Sequence, residues 1–200
     1  MQWNFGRVLL LAAWIAVLAG CGSGESGGRG DTDPANLIVN GSFEGPDVPP
    51  GISTISVGDW NLSGWTPVNG NGIGIFDNMT ASAGVTWQAY EGDQFAELDA
   101  NANGGISQSI NTVPGSSYYI CFAYSPRPGC GAGTNTIQFY LNDKSIDNVT
   151  AGGDAASMAW MLYCYSFRAT GASTTVRFMA AGDSDGFGGF LDDVQVIEKN

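Results

Sequence analysis

The chain of 200 residues carries 7 lysines and arginines against 19 aspartates and glutamates, a formal net charge of −12, and it contains no histidine. So acidic a surface repels nucleic-acid phosphates, and we expect no nucleic-acid partner. Without histidine there is no Ser-His-Asp or Cys-His nucleophile and no histidine-containing zinc site. The chemistry left open is that of paired carboxylates or of a metal held by oxygen atoms.

The first 20 residues are predicted to be a lipoprotein signal peptide. Arg7 precedes the apolar run VLLLAAWIAVLAG, which is too short to span a bilayer comfortably, since a spanning helix needs about 20 residues. The junction LAGC at residues 18–21 resembles the lipobox of bacterial lipoproteins, which implies cleavage before Cys21 and lipidation of its thiol. The alternative is an ordinary secretory signal, and both interpretations export the protein.

Residues 21–35 are predicted to be the lipidated cysteine and a flexible linker, because this Gly-, Ser- and Asp-rich stretch has no apolar residue worth burying. We therefore expect a cell-envelope protein that meets the membrane through its lipid anchor alone, with one domain over residues 36–200. Gly22 rather than Asp follows Cys21, which by analogy with lipoprotein sorting indicates the outer membrane in a cell that has two membranes.

The domain consists of predicted strands and turns. Turn signals rich in glycine, asparagine and aspartate separate short segments with strand-like patterns, which are LIVNGSF, SSYYICFAY, TIQFYLND, WMLYCYSFRA, TTVRFMAA and FLDDVQVI. Outside residues 1–20, no run has apolar residues at helical spacing. Eight or so antiparallel strands predict an all-β domain, an antiparallel β-sandwich of the jelly-roll type.

Two carboxylates lie near the two ends of this domain. Strand alternation places Asp192 on the inward face with Val194 and Val196, and Glu44 ends the first segment. A buried carboxylate is costly unless it is paired or binds a metal, so we predict a structural Ca²⁺ that joins the first and last strands. The candidate ligands are Glu44, Asp192, Asp193 and Asn40. The alternative is that both carboxylates are solvent-exposed strand ends.

Three cysteines follow residue 21 and allow at most one disulfide among them. We predict that Cys121 pairs with Cys130, because the loop SPRPGCGAG is expected to fold back over the strand that contains Cys121. The third cysteine, Cys164, is then unpaired or bridges another chain.

Sugar-binding sites combine an aromatic face with nearby amides and carboxylates. Trp60 and Trp87 lie in polar segments and are the predicted platforms for a sugar ring, and Tyr90 lies close to the second of them. Trp65 and Trp160 are predicted to be structural core residues instead.

Three further features admit two interpretations each. Arg127, which lies between two prolines, is a candidate donor to a carboxylated sugar, or it fixes its own loop by hydrogen bonds to carbonyls. The segments ELDANANGG (97–105) and DSDGFGG (183–189) look like cation-binding loops. The second lacks the distal glutamate of an EF-hand, however, and ordinary turn chemistry explains both compositions equally well.

Seven short motifs follow one another along residues 36–198. They are NLIVNGSFE, GW at residues 64–65, EGDQFAELD, GGISQSI, PGSSYYICFAYSPRPG, a W-x-x-Y-x-Y-x-F strand and GGFLDDVQV. In this order they resemble the DUF642-type, galactose-binding-like domains. The resemblance implies a jelly-roll sandwich, a structural calcium held by Glu44 and Asp192, polysaccharide or cell-wall association, and no established catalytic centre. The cysteines and the lipid anchor depart from this pattern, so the wall targets of plant relatives are not carried over.

Three functions fit these features. The favoured one is a noncatalytic, lipid-anchored module that binds a polysaccharide or cell-envelope glycan. The second is an interaction lipoprotein that binds an envelope protein partner. The third is a small glycosidase or lyase that uses carboxylates such as Glu91, Glu97 and Asp99, although a single small sandwich offers little of the deep cleft that catalysis prefers.

Overall fold

The computed structural model describes residues 35–55, 61–69, 71–80, 86–153 and 157–199, whose regular structure is entirely β. The predicted signal peptide and Cys21 lie outside these residues. None of the described segments forms a helix long and apolar enough to cross a membrane.

Thirteen strands are formed by the described residues. They are β1 (Gly51–Ile55), β2 (Thr66–Pro67), β3 (Ile73–Asp77), β4 (Met79–Thr80), β5 (Thr86–Trp87), β6 (Gln94–Glu97), β7 (Gly105–Asn111), β8 (Ser117–Ser125), β9 (Ile137–Leu141), β10 (Lys144–Val149), β11 (Met161–Arg168), β12 (Ser173–Ala180) and β13 (Phe190–Glu198). One sheet has the order β1-β3-β6-β13-β8-β11, a second has the order β10-β9-β12-β7-β2, and β4 pairs with β5. The strands pair antiparallel, which confirms the predicted antiparallel β-sandwich of the jelly-roll type.

The main core fills the space between the two larger sheets. On β8, alternate residues from Tyr118 to Tyr124 are at most 1% exposed, as the sequence pattern predicts. Phe122 of this strand meets Phe139 of β9 and Phe178 of β12 across the core, at ring-centroid distances of 5.3 and 4.9 Å. Truncating a phenylalanine in such a position to alanine typically costs about 3–5 kcal/mol, so these rings hold the sheets together.

The first described segment, residues 35–48, runs beside the last strand without being a regular strand itself. The backbone N–H of Leu37 donates to the carbonyl of Val196 on β13 at 2.8 Å, so the two ends of the domain meet as predicted. Asn40 and Phe43 have positive φ angles of 55° and 60°, which extended backbone does not allow. The predicted first strand over LIVNGSF is therefore wrong.

A β-bulge in β13 overturns the predicted facing of Asp192. The register against β8 shifts just after this residue, where Asp193 has a φ of 45°. The extra residue reverses the alternation of side chains, so Val194 and Val196 face the main core while Phe190 belongs to a separate cluster. Asp192 is fully buried, but on the outer face of the six-stranded sheet and not among the core valines.

The disulfide joins Cys121 to Cys164, and the predicted Cys121–Cys130 pair is wrong. The paired residues lie directly opposite each other on β8 and β11, with Cα atoms 4.2 Å apart. Cys130 is tied instead to Gly153, whose N–H donates to the Cys130 carbonyl at 2.9 Å. Cys130 is a partly buried free thiol, and burial raises its pKa.

Candidate functional site

The outer face of the six-stranded sheet carries a second buried cluster. Phe76 of β3, Phe95 of β6 and Phe190 of β13 are fully buried there, with ring centroids 5.0–5.3 Å apart. We call these three residues the outer phenylalanine cluster. Their strand neighbours face the main core, so this part of the sheet is buried on both faces. The cluster is not among the features predicted from sequence, and its one local signal is that Phe95 and Ala96, adjacent apolar residues, lie on opposite faces of β6.

Two tryptophans cover this cluster and reach solvent, and a tyrosine packs against one of them. Trp87 lies 5.6 Å from Phe190, and its own surface is partly exposed. Trp160, also partly exposed, meets Phe95 edge-on at 5.8 Å. Tyr90 is 44% exposed and contacts Trp160 at 6.1 Å. We call Trp87, Tyr90 and Trp160 the surface aromatic patch.

The sequence predicts that Trp65 and Trp160 are core residues, and the structure agrees for only one of them. Trp65 is 3% exposed in the main core, as predicted. Trp160 instead belongs to the surface aromatic patch, where its Nε1 donates to the Gln88 carbonyl at 2.9 Å and so fixes the ring. Trp60 lies outside the described residues.

Arg127 is bound to a buried carboxylate beside the same cluster. Its Nη1 donates to Glu97 Oε1 at 2.5 Å, and the two side chains are 12% and 3% exposed. Its guanidinium also lies over rings that include Phe187 at 4.8 Å and Trp87 at 5.3 Å. Burial raises the pKa of Glu97 to about 7, although Arg127 acts in the opposite direction. Arg127 is thus fixed by a carboxylate, and not by the carbonyls considered from sequence.

Asp192 and Glu44 both bind the turn that connects β5 to β6. Asp192 Oδ2 accepts the backbone N–H groups of Tyr90 and Glu91 at 2.8 and 3.0 Å. Glu44 Oε1 accepts those of residues 93 and 94 at 2.9 and 2.8 Å. Two segments far apart in sequence therefore converge on five residues, 90–94, the first of which belongs to the surface aromatic patch.

Gly92 lies at the centre of this turn and has a φ of 66°. A Cβ atom at this position would lie 2.3 Å from Glu44 Oε1, well inside van der Waals contact. Both the backbone conformation and the packed carboxylate therefore require glycine here.

Asn40 and Asp193, the other two predicted metal ligands, are engaged in local turns. Asn40 Oδ1 accepts the N–H of Gly45 at 2.9 Å, and its Nδ2 donates to the carbonyl of the same residue at 2.6 Å. Asp193 Oδ1 accepts from Gln195 Nε2 at 2.6 Å, and burial raises the pKa of Asp193. Asn40 thus shapes the turn that contains Glu44, and Asp193 shapes the backbone that follows Asp192.

The two carboxylates at this turn are the candidate ligands of a hard cation. Burial raises the pKa of Asp192 to about 8, although the backbone N–H groups of Tyr90, Glu91 and Asp193 act in the opposite direction, and Asp192 forms no ion pair within the described residues. The described part of the chain contains no group of three or more His, Cys, Asp or Glu side chains placed to hold a metal. A cation at this turn would therefore need carbonyl oxygens beside the two carboxylates, a mixture that Ca²⁺ accepts.

Residues 36–197 match the family described as "Protein of unknown function (DUF642)". The match spans most of the chain, so this protein belongs to the DUF642 family, as the order of its motifs predicts. A more distant relative is a multifunctional-autoprocessing repeats-in-toxin of Vibrio vulnificus, 26% identical over 169 residues. That match covers 84% of this chain but only 3% of the toxin, so the chain spans a small part of that relative's length.

Two solved structures are similar to this chain. A Stig cyclase, Fisc, from Fischerella sp. TAU is similar with a TM-score of 0.57 and 14% identity, over 82% of this chain and 96% of that one. A family 35 carbohydrate-binding module from Paenibacillus barcinonensis has a TM-score of 0.45 and 16% identity, over 74% and 99% of the two chains. The first likeness shows the fold alone, and the second is too distant to carry an argument.

Proposed function

We propose that this domain is a noncatalytic module that binds a polysaccharide or cell-envelope glycan through the surface aromatic patch. The observation that supports it is the arrangement of Trp87, Tyr90 and Trp160, which reach solvent on top of the buried outer phenylalanine cluster. Aromatic faces of this kind stack on the apolar faces of pyranose rings. Because packing holds the rings in place, little side-chain entropy would be lost on binding.

Polar groups beside the patch suit the hydroxyl groups of a sugar. Gln88 and Glu91 are exposed on the same segment as Tyr90. Asp93, also exposed, is oriented by the side-chain amide of Asn78, which donates to Asp93 Oδ1 at 2.8 Å. An amide and two carboxylates near the rings supply both donors and acceptors for oriented hydrogen bonds.

The proposal includes a structural Ca²⁺ at the 90–94 turn, held by Glu44 and Asp192. Its support is the convergence of both carboxylates on this turn and the full burial of Asp192 without an ion-pair partner among the described residues. Since the turn begins at Tyr90, a cation here would fix one ring of the patch as well as the two ends of the domain. Asn40 and Asp193 would act by shaping the flanking backbone.

The positions of the candidate catalytic carboxylates support a noncatalytic role. Glu97 is 3% exposed and ion-paired, and Asp99 is fully buried, so of the three candidates only Glu91 is exposed. Glycoside hydrolysis requires two carboxyl groups on either side of the scissile bond. These three residues do not present such a pair to a substrate.

We place the module on the cell envelope, anchored by a lipid on Cys21, and on the outer membrane where a cell has two membranes. This rests on the lipobox-like junction LAGC and on the linker that follows it. Mass spectrometry of the mature N-terminus tests it, since a diacylated Cys21 is expected. Cys21→Ser should leave an unlipidated chain that no longer fractionates with membranes. A mature N-terminus at another residue would contradict the anchor.

A glycan array tests the binding function. The full-length chain is applied with calcium and again with EDTA, and we expect retention on one class of polysaccharide. Tyr90→Ala should abolish retention, and Tyr119→Ala is the matched control. Tyr119 is 40% exposed on the same sheet, but it lies six strand residues from Ser125, the β8 partner of Phe190, or about 20 Å away. A blank array from the folded wild-type chain would overturn glycan binding and favour the protein-partner alternative.

A further inference from the structure

Two buried oxygen atoms on the loop between β6 and β7 have no hydrogen-bond partner. They are Asp99 Oδ1 and Asn103 Oδ1, and within the described residues they are the only buried side-chain oxygens in this state. Asp99 is fully buried, and burial raises its pKa. An unpartnered carboxylate oxygen in this setting is costly unless a cation or another charge compensates it.

The remaining polar atoms of both side chains are fixed to one facing loop, residues 182–188. Asp99 Oδ2 accepts the N–H of Asp185 at 3.2 Å. Asn103 Nδ2 donates to the Gly182 carbonyl at 2.7 Å, so its amide cannot be reversed without losing that bond. The backbone N–H of Asn103 donates to Ser184 Oγ at 2.9 Å. Both unpartnered oxygens are therefore oriented by the same loop.

The facing loop adds a carboxylate and brings a carbonyl close by. The Asp185 side chain is held by Thr134, whose Oγ1 donates to Asp185 Oδ1 at 2.7 Å. A Cβ atom on Gly186, which has a φ of 79°, would lie 3.7 Å from the Ala100 carbonyl oxygen, so the two loops are in close contact. The loops thus combine two carboxylates, an amide oxygen and a carbonyl, which is a set of hard oxygen donors.

We propose that the loops Asp99–Asn103 and 182–188 bind a second Ca²⁺, through Asp99 Oδ1 and Asn103 Oδ1, with Asp185 supplying further negative charge. Calcium is preferred to magnesium because an irregular mixture of amide, carbonyl and carboxylate oxygens suits its flexible coordination. The site lies beyond the C-terminal end of β6, whereas the 90–94 turn precedes its N-terminal end. The cation would tie the loop after β6 to the loop before β13, the two strands that carry Phe95 and Phe190.

Calcium binding to the full-length chain tests this site by isothermal titration calorimetry after removal of metal with a chelator. Wild type is expected to bind at two sites, one of which is lost or weakened at least about tenfold in Asp99→Asn, since affinity follows the charge and number of the ligands. Asp143→Asn is the matched control, because that carboxylate is exposed in the turn between β9 and β10, outside both loops. Its binding curve should equal that of wild type.

Melting temperatures distinguish a bound cation from a merely buried acid. In calcium, Asp99→Asn should melt below wild type; in EDTA it should melt at or above wild type, because it removes an uncompensated buried charge. Asn103→Ala provides the second test if Asp99→Asn does not fold, and it should lose the same calcium site. Asp99→Asn or Asn103→Ala with wild-type calcium binding would overturn the proposal.

The same calcium titrations test the proposed site at the 90–94 turn independently of the site at Asp99 and Asn103. Glu44→Gln should remove the proposed first calcium and leave the second intact. A single site that is lost in Glu44→Gln but kept in Asp99→Asn would overturn the second site alone. Wild-type chain that binds no calcium would overturn both.

Discussion

Asp192 and Glu44 lie near opposite ends of the domain, and their carboxylates bind the two halves of the same turn, residues 90–94. The first and last segments of the domain therefore both stabilise this turn. Since it also carries Tyr90, the closure of the fold and the geometry of the candidate binding surface depend on one set of hydrogen bonds.

Gly92→Ala should destabilise the domain by at least about 1–3 kcal/mol, because alanine disfavours a φ of 66° and its Cβ would meet Glu44 Oε1. Denaturant titration measures the loss. Gly131→Ala is the control, since a Cβ there has no atom within 4 Å. Equal stability of the two variants would contradict the role assigned to the turn.

If Ca²⁺ is bound at the 90–94 turn, the effect of a chelator on the melting temperature should depend on Glu44. EDTA should lower the melting temperature of the wild-type chain, and it should lower that of Glu44→Ala by less, because one of the two proposed cations is already absent. Differential scanning calorimetry with and without EDTA measures both shifts. An identical shift in the two proteins would exclude a cation held by Glu44.

The ion pair between Arg127 and Glu97 should be strongly coupled. Arg127→Met leaves a buried carboxylate without its partner and should cost about 3 kcal/mol, whereas Arg127→Met with Glu97→Gln should cost clearly less than the sum of the single changes. Arg168→Met, at an exposed arginine, is expected to stay within about 1 kcal/mol of wild type. Additive losses in the double variant would show that the two side chains do not act together.

The disulfide should stabilise the domain by about 2–4 kcal/mol, the usual range for a bridge that closes a loop of this kind. The double variant Cys121→Ala with Cys164→Ala should lose this amount in denaturant titration. Cys130→Ala should not change the response to a reducing agent. A tryptic fragment that joins Cys121 to Cys130 would contradict the pairing.

The sequence predicts the regular part of the sheets well, because strand signals there are local. The predicted segments around β8, β9, β11, β12 and β13 agree with the observed strands to within about two residues at each end, the usual uncertainty of such boundaries. The burial along β8 also follows simple strand alternation, since alternate residues from Tyr118 to Tyr124 are buried and Tyr119 between them is 40% exposed.

The errors come from features that alternation cannot encode. One extra residue at Asp193 reverses the facing of Asp192 relative to Val196, and only the register against β8 reveals it. The Cys121–Cys164 pairing depends on the same kind of information, since the two cysteines face each other only because β8 and β11 are neighbours in the sheet, which no local pattern shows. The position of Trp160 depends on the outer phenylalanine cluster, which is a tertiary feature.

The surface aromatic patch is tested most directly by measuring how tightly two variants of the full-length chain bind the glycan found on the array. Calorimetry with Trp160→Ala should give a Kd at least about tenfold weaker than wild type, equivalent to about 1.4 kcal/mol, while Tyr119→Ala should bind as wild type does. Trp160→Ala should melt below wild type, because Trp160 covers the buried Phe95, and both variants must still unfold cooperatively for the comparison to hold. Unchanged affinity in a folded Trp160→Ala protein would contradict the assignment of the surface aromatic patch as the glycan-binding site.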